Sequence, residues 1–205
     1  MKVAIIGSGN VGGALAQNFI KAGHTVIVGA KFPLSEKSIQ LATKIGEDRF
    51  AAVENAAKQS EVIIITTAID AVITVAKQLG DCSNKVIIDA TNSVFKKPEP
   101  YANGFEALKT ETNCQDIVKC FNSTGFENML NPVYEGEGID MFVAGSSARG
   151  KEVAKQLSLD IGFANCYDFG GDDKVPLLEQ FALSWINLAI IQKHGRDLAF
   201  KLIKR

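Results

Sequence analysis

The chain predicts an α/β fold: a doubly wound, mostly parallel sheet with a short C-terminal helical extension. Short apolar runs rich in β-branched residues recur along it, and helical stretches separate them. The runs are continuous Val/Ile stretches, as expected of strands covered on both faces. With 205 residues, 46% of them hydrophobic, there is material for one substantial core and no room for a large second domain, so a single domain over residues 1–205 is expected.

The first run, Val3 to Ile6, ends at Gly7-Ser8-Gly9-Asn10-Val11-Gly12, and a helix is predicted from about Asn10 to Ala22. Gly23-His24 then turn the chain into a second run, Thr25 to Val28. Further strands are predicted at Val62 to Thr66, Val86 to Asp89, Ile117 to Phe121 and Met141 to Ala144. The segment Ser93 to Gln115 is rich in Pro, Lys, Asn and Glu, and with Pro98 and Pro100 it reads as a loop-bearing insertion. A helix from about Ala148 to Leu159, a strand near Phe163 to Tyr167 and a long closing helix over about 175–205 complete the prediction. Leu178, Phe181, Ala182, Trp185, Ile186 and Ala189 recur at helical spacing, and Leu177, Leu188, Ile190 and Ile191 widen the stripe beyond one face. That helix is therefore expected to be covered twice, by the sheet and by a second copy of the chain, which makes a homodimer.

The glycine motif lies directly after a strand and opens a helix, the arrangement of a Rossmann dinucleotide site. Gly7 permits the tight turn, Gly9 lets backbone approach a pyrophosphate, and Gly12 lets helix and strand pack closely. The helix start offers Ser8, Asn10 and Val11 with free N–H groups and the positive end of the dipole. NAD-preferring sites place an acid at the end of the second strand; here the chain reads Val28-Gly29-Ala30-Lys31-Phe32, with no acidic residue before Glu36. Lys31 is suited to pair with a 2′-phosphate, so NADP(H) is expected over NAD(H). Ser35 and Lys37 extend the same phosphate pocket, and Phe32 is positioned to cover adenine.

Thr66-Thr67-Ala68 and Thr91-Asn92-Ser93 follow predicted strands at the carboxyl edge, where open α/β sheets bind ligands. Thr and Asn at such places serve equally as caps and turn formers. His24 lies at the amino edge and reads as structural, and His194 as solvated beside Lys193 and Arg196. No nucleophile–base arrangement emerges, so no catalytic side chain is assigned; hydride transfer needs positioning above all. Cys82, Cys114, Cys120 and Cys166 lack paired ligand spacing, so no metal site is expected and a reducing, cytoplasmic setting is. A net charge of −1 without basic blocks speaks against nucleic acid as a partner, and no apolar run reads as a membrane span.

Nearly end to end, the chain resembles the NADP oxidoreductases that use the deazaflavin coenzyme factor 420, and the same fold is similar to the cytoplasmic domain of six-transmembrane ferric reductases. The resemblance rests on Met1 to Gly12, on Val28 to Lys31 where that family usually shows Gly-Ser-Arg, on Val86 to Asn92, and on Ile117 to Asn122. It continues through Ile161-Gly162-Phe163 and Leu178-Glu179-Gln180 into the helix with Trp185. It implies pyrophosphate on Gly7 to Gly12, Lys31 in place of the family arginine at the 2′-phosphate, Thr67 and Ala68 along the nicotinamide, and Phe121 and Asn122 near the transfer site. Two positions depart from the pattern: Ala30 lacks the hydroxyl of the usual serine, and Thr67 stands where a more apolar residue is common. The expected activity is hydride exchange between NADP(H) and a planar acceptor such as a deazaflavin or flavin. The alternatives are an NADP(H) sensor without turnover and a short relative of the imino-acid and hydroxyacid reductases.

Overall fold

The computed structural model describes residues 1–30 and 35–205, with residue 37 in backbone only. Among these residues the strands in chain order are β1 (Lys2–Ile6), β2 (Thr25–Gly29), β3 (Phe50–Ala51), β4 (Val62–Ile65), β5 (Val86–Asp89), β6 (Asp116–Lys119), β7 (Val133–Tyr134), β8 (Glu137–Gly138), β9 (Asp140–Ala144) and β10 (Asn165–Gly170). Eight of them form one sheet in the order β10-β9-β6-β5-β4-β1-β2-β3, and β7 and β8 pair as a separate ribbon. All neighbours in the large sheet are parallel except β6 and β9. The chain winds outward from β1 to β3, then returns to lay β4 on the other side of β1. The strand order therefore reverses between β1 and β4, and a crevice opens at their carboxyl ends.

The continuous apolar runs follow from burial on both faces. Along β1, Val3 and Ile5 enter one core with Leu15 and Phe19 of α1 (Asn10–Lys21), whereas Ala4 and Ile6 enter the other with Val53 and Ala56 of α3 (Val53–Lys58). The first core also takes Leu41 of α2 (Glu36–Ile45), Met129 of α6 (Phe126–Leu130) and Leu157 of α7 (Ala148–Asp160). The second takes Val72 of α4 (Val72–Gln78), Leu108 of α5 (Gly104–Glu111) and Leu178 of α8 (Val175–Ile186). Each fully buried aliphatic side chain contributes about 1.5–3 kcal/mol to this packing.

Three expectations are corrected. Ser93 to Gln115 is not loop throughout: Asn103, whose side chain accepts from the Glu106 amide, starts α5, and loop resumes at Thr112. β6 stops at Lys119 and not at Phe121, because Phe121 takes a left-handed backbone with φ +58°. The closing helix does not run to residue 205: α8 passes through a π-helical turn, Asn187–Ile191, and ends. Lys193 and Gly195 adopt positive φ there, and the His194 and Gly195 amides donate back to the Leu188 and Ala189 carbonyls, which closes the helix as left-handed C-terminal residues do. The remaining tail folds back over the protein without helix. Trp185 Nε1 and Asn128 Nδ2 both donate to the Leu198 carbonyl at 2.7 Å, and the Phe200 ring lies 4.5 Å from that of Phe181.

The helical stretch Asp172–Ile191 is long and apolar enough to cross a membrane by length and composition, which differs from the sequence expectation. In the fold, Val175, Leu178, Glu179, Ala182, Trp185 and Ala189 form its buried side. His24 stands at the amino edge as expected, with Nε2 3.1 Å from Asp160.

Candidate functional site

The crevice between β1 and β4 is built by backbone. Gly7 has φ +121° and anchors the turn by donating to the Gly29 carbonyl at 2.9 Å. A Cβ on Gly12 would lie 2.1 Å from the Gly7 carbonyl oxygen, so only glycine lets α1 start this close to β1. A Cβ on Gly9, in contrast, would meet nothing within 4 Å, and the backbone there faces open space. Gly9 is the N-cap of α1, and no side chain caps the helix. The first turn, beginning at exposed Asn10, therefore presents unfilled N–H groups and a positive dipole end to that space, the combination that binds phosphate. Val11 points the other way and packs on the core.

Thr66 braces the turn from β4: its Oγ1 donates to the Ile6 and Gly7 carbonyls at 3.0 and 3.2 Å. Its hydroxyl is thus committed to the fold. Thr67 differs, since its Oγ1 is buried and makes no hydrogen bond within the protein. A buried hydroxyl without a partner costs about 1–3 kcal/mol, so such an atom beside a binding groove points to a missing polar partner. Ala68 caps the turn Ile69–Ala71 that follows.

Gly7, Ser8, Gly9, Ala30, Ser35, Thr66, Thr67 and Ala68 enclose a cleft of about 280 Å³. A neighbouring one of about 350 Å³ runs from Gly7 and Gly29 along Thr67, Asp70 and Thr74 to Gln78. On the β2 side, Ser8 and Ser38 hydroxyls are 2.9 Å apart, and Ser35 meets Ser38 at 2.8 Å while capping α2. Ala30 is buried and its amide donates to Ala51. Lys31 and Phe32 lie outside the described residues, as does the side chain of Lys37. A dinucleotide fits these residues: the uncapped α1 terminus and the Cβ-free surface at Gly9 suit a pyrophosphate, and the unpartnered Thr67 hydroxyl suits the polar rim of a ribose or carboxamide. A larger cleft of about 620 Å³ involves Lys58, Ser60, Lys85 and Arg149, at the opposite, amino edge where α3 and α4 end.

The ends of β5 and β6 form a second cluster. Thr91 donates from both N and Oγ1 to Asp89 Oδ1, at 2.9 and 2.7 Å, and acts as a turn former. Asn92 Nδ2 donates to the Asn122 carbonyl and Asn122 Nδ2 donates to Asn92 Oδ1, both at 3.0 Å. Asn122 Oδ1 is buried with no donor. Phe121, which the resemblance put near the transfer site, follows β6 at this edge, and its ring is turned inward. Its side chain is fully buried and packs edge-on against Phe19, with ring centres 6.0 Å apart, because the positive φ turns it into the core.

Sequence reasoning missed the ion network beneath this cluster. Lys119 Nζ, with no exposed surface, lies 2.8 Å from Asp89 Oδ2 and 2.6 Å from Glu179 Oε1. Burial alone would pull the Lys119 ammonium down, but the charges of Asp89 and Glu179 outweigh it and hold the pKa above the usual lysine value. Glu179 Oε1 also accepts from the Ser93 amide at 3.3 Å, so the network ties β5, β6, α8 and the loop after β5 together. A signal existed: a lysine inside Ile117-Val118-Lys119-Cys120 belongs to a buried strand and demands an anionic partner.

Residues 2–93 match the model of the family described as NADP oxidoreductase, coenzyme F420-dependent. Among solved structures, a protein from Arthrobacter sp. FB24, described provisionally as an F420-dependent NADP-reductase, superposes with a TM-score of 0.83 at 23% identity, over the full length of both chains. A hypothetical protein from Sinorhizobium meliloti gives 0.70 at 21% identity, over 100% of this chain and 96% of that one. A reductive aminase from Aspergillus terreus, in complex with NADPH and ethyl-5-oxohexanoate, gives 0.66 at 19% identity; there this chain is covered to 93% and the aminase to 62%. No curated protein matches by sequence. These likenesses establish a Rossmann-type fold.

Proposed function

We propose that the chain is an NADP(H)-dependent oxidoreductase that moves hydride between the nicotinamide and a planar acceptor of the flavin or deazaflavin class. The observation that carries this reading is the Gly7–Gly12 turn at the reversal between β1 and β4, with an uncapped helix start above it. The family match over residues 2–93 supports the same cofactor and acceptor classes. When bound, NADPH would supply a hydride, which is one proton with two electrons, and a solvent proton would complete the reduction of the acceptor.

The chain's own part is binding and alignment. Amides at the start of α1 hold the pyrophosphate, and Lys31, with Ser35 and Lys37, takes the 2′-phosphate at a strand end that carries no acid. Thr67 donates its free hydroxyl to the nicotinamide half. With two histidines in the whole chain, His24 tied to Asp160 and His194 late in the sequence, acid–base chemistry is left to solvent. The reading places the reaction in the cytoplasm, where four unpaired thiols remain reduced. It also includes a second copy of the chain against the exposed Leu177, Ile190 and Ile191.

Calorimetric titration with NADPH and NADH, followed by anaerobic spectra of the NADPH complex with factor 420 and with FMN, tests the reading. Tighter binding of NADPH and reduction of one acceptor are expected. NADPH binding without turnover of either acceptor favours a sensor, and binding of neither nucleotide refutes the proposal.

A further inference from the structure

The loop over residues 91–103 leaves the carboxyl end of β5 and is tied down along its length. Asn92 is held by Asn122 at the end of β6. Ser93 donates its amide to Glu179 and accepts from the Gly104 amide at 3.1 Å. Lys96 reaches Asp70 at 2.8 Å, in the short turn that begins just after Ala68. Between the Ser93 and Lys96 anchors stands Phe95, 74% exposed. Single exposed apolar side chains are ordinary, but this is the one aromatic among the large exposed hydrophobics of the described residues. It sits at the edge of the sheet where ligands of open α/β folds bind. None of the loop's anchors uses its ring, so the loop's shape does not depend on burying it.

We infer that Phe95 is the stacking platform for the planar hydride acceptor. This rests on the hydride-transfer reading above. The adenosine half of the groove lies toward Ala30 and Ser35 at the end of β2, on the far side of the glycine turn. Phe95 is carried on the other side of β1, on a loop fastened to the turn after Ala68 through Lys96 and Asp70 and to the end of β6 through Asn92 and Asn122, the side left for a second ring. An exposed aromatic face with few rotamers to order accepts any flat π-system, which suits a flavin or deazaflavin better than an aliphatic substrate.

The test compares wild type with Phe95→Ala and Phe95→Trp. Three quantities are measured: NADPH affinity by calorimetry, steady-state reduction of FMN and factor 420, and FMN binding to the NADP⁺ complex by flavin fluorescence. For Phe95→Ala, KM and Kd for the acceptor should rise roughly five- to tenfold, the loss expected of one aromatic stacking contact, with NADPH affinity unchanged. Phe95→Trp should restore acceptor binding and quench the emission of bound flavin, a signature that a structural role would not produce. Unchanged acceptor KM and Kd in Phe95→Ala overturn the proposal. So does an equal loss of NADPH affinity, which would assign the ring to the dinucleotide. If wild type binds NADPH but neither binds nor reduces FMN or factor 420, the hydride-transfer reading fails and the platform falls with it. A wild type that turns over with an unaffected Phe95→Ala variant refutes the platform alone.

Discussion

A lysine with no exposed surface survives only where anions meet it, and Lys119 has two, at 2.6 and 2.8 Å. Lys119→Met should therefore destabilise the protein by about 3–5 kcal/mol, since it strands two buried carboxylates. Urea unfolding followed by Trp185 fluorescence checks this. The network also sets a pH dependence. Because the folded pKa of Lys119 is raised, its stabilisation is fully present below the unfolded value, about 10.4, and is lost as pH rises through the folded value. Wild type should lose stability in that alkaline window, and Lys119→Met should lose less. In the proposed function Lys31 sets cofactor preference. Lys31→Glu should weaken NADPH binding by roughly 1–3 kcal/mol relative to NADH, the worth of a charge-assisted hydrogen bond. Calorimetry with both nucleotides reads it, and equal losses would remove Lys31 from the 2′-phosphate.

At the scale of elements, the C-terminal tail acts as a strap. Leu198 offers one carbonyl to both Trp185 and Asn128, Phe200 stacks on Phe181, and the Leu202 amide donates to Asp140 Oδ2 at 2.7 Å. These contacts join α8, α6 and β9, of which α6 and β9 are distant from the tail in sequence. Truncation after Asp197 should cost about 3–6 kcal/mol, from three lost hydrogen bonds to buried groups and one aromatic side chain. It should also shift Trp185 emission to the red as its indole N–H turns to water. The strand runs and α1 were legible because period and turn chemistry are local: Val3 to Ile6 followed by Gly7 to Gly12 needs no distant partner to be read. The end of α8 was not legible, because the apolar composition continues past Gly195 through Leu198 and Phe200 while the backbone does not.

At the scale of the whole molecule, Leu177, Ile190 and Ile191 remain about half exposed on the outer side of the closing helix, which the sheet covers only once. A second copy of the chain is the expected cover, and sedimentation equilibrium at micromolar concentration should return twice the 22.0 kDa chain mass. A monomer would leave that stripe to another partner. In the proposed function the two clusters at the carboxyl edge would divide the labour: the glycine turn and the β2 end would hold one ligand half, and the loop after β5, fastened to α8 through Glu179, would border the other.

By itself the sequence determined the doubly wound class and the glycine turn between β1 and α1, since glycines at a strand-to-helix junction and two-faced apolar strands are consequences of local sterics and burial. Tertiary structure decided which polar residues are free to act. Thr66 and Thr67 are neighbours of one type, yet one hydroxyl is consumed by the Ile6 and Gly7 carbonyls and the other is left without a partner. Phe121 and Phe95 both follow strands at the same edge, yet one ring is turned into the core and the other stands in solvent. Hydrogen-bond partners and burial come from segments distant in the chain, and no local pattern encodes them.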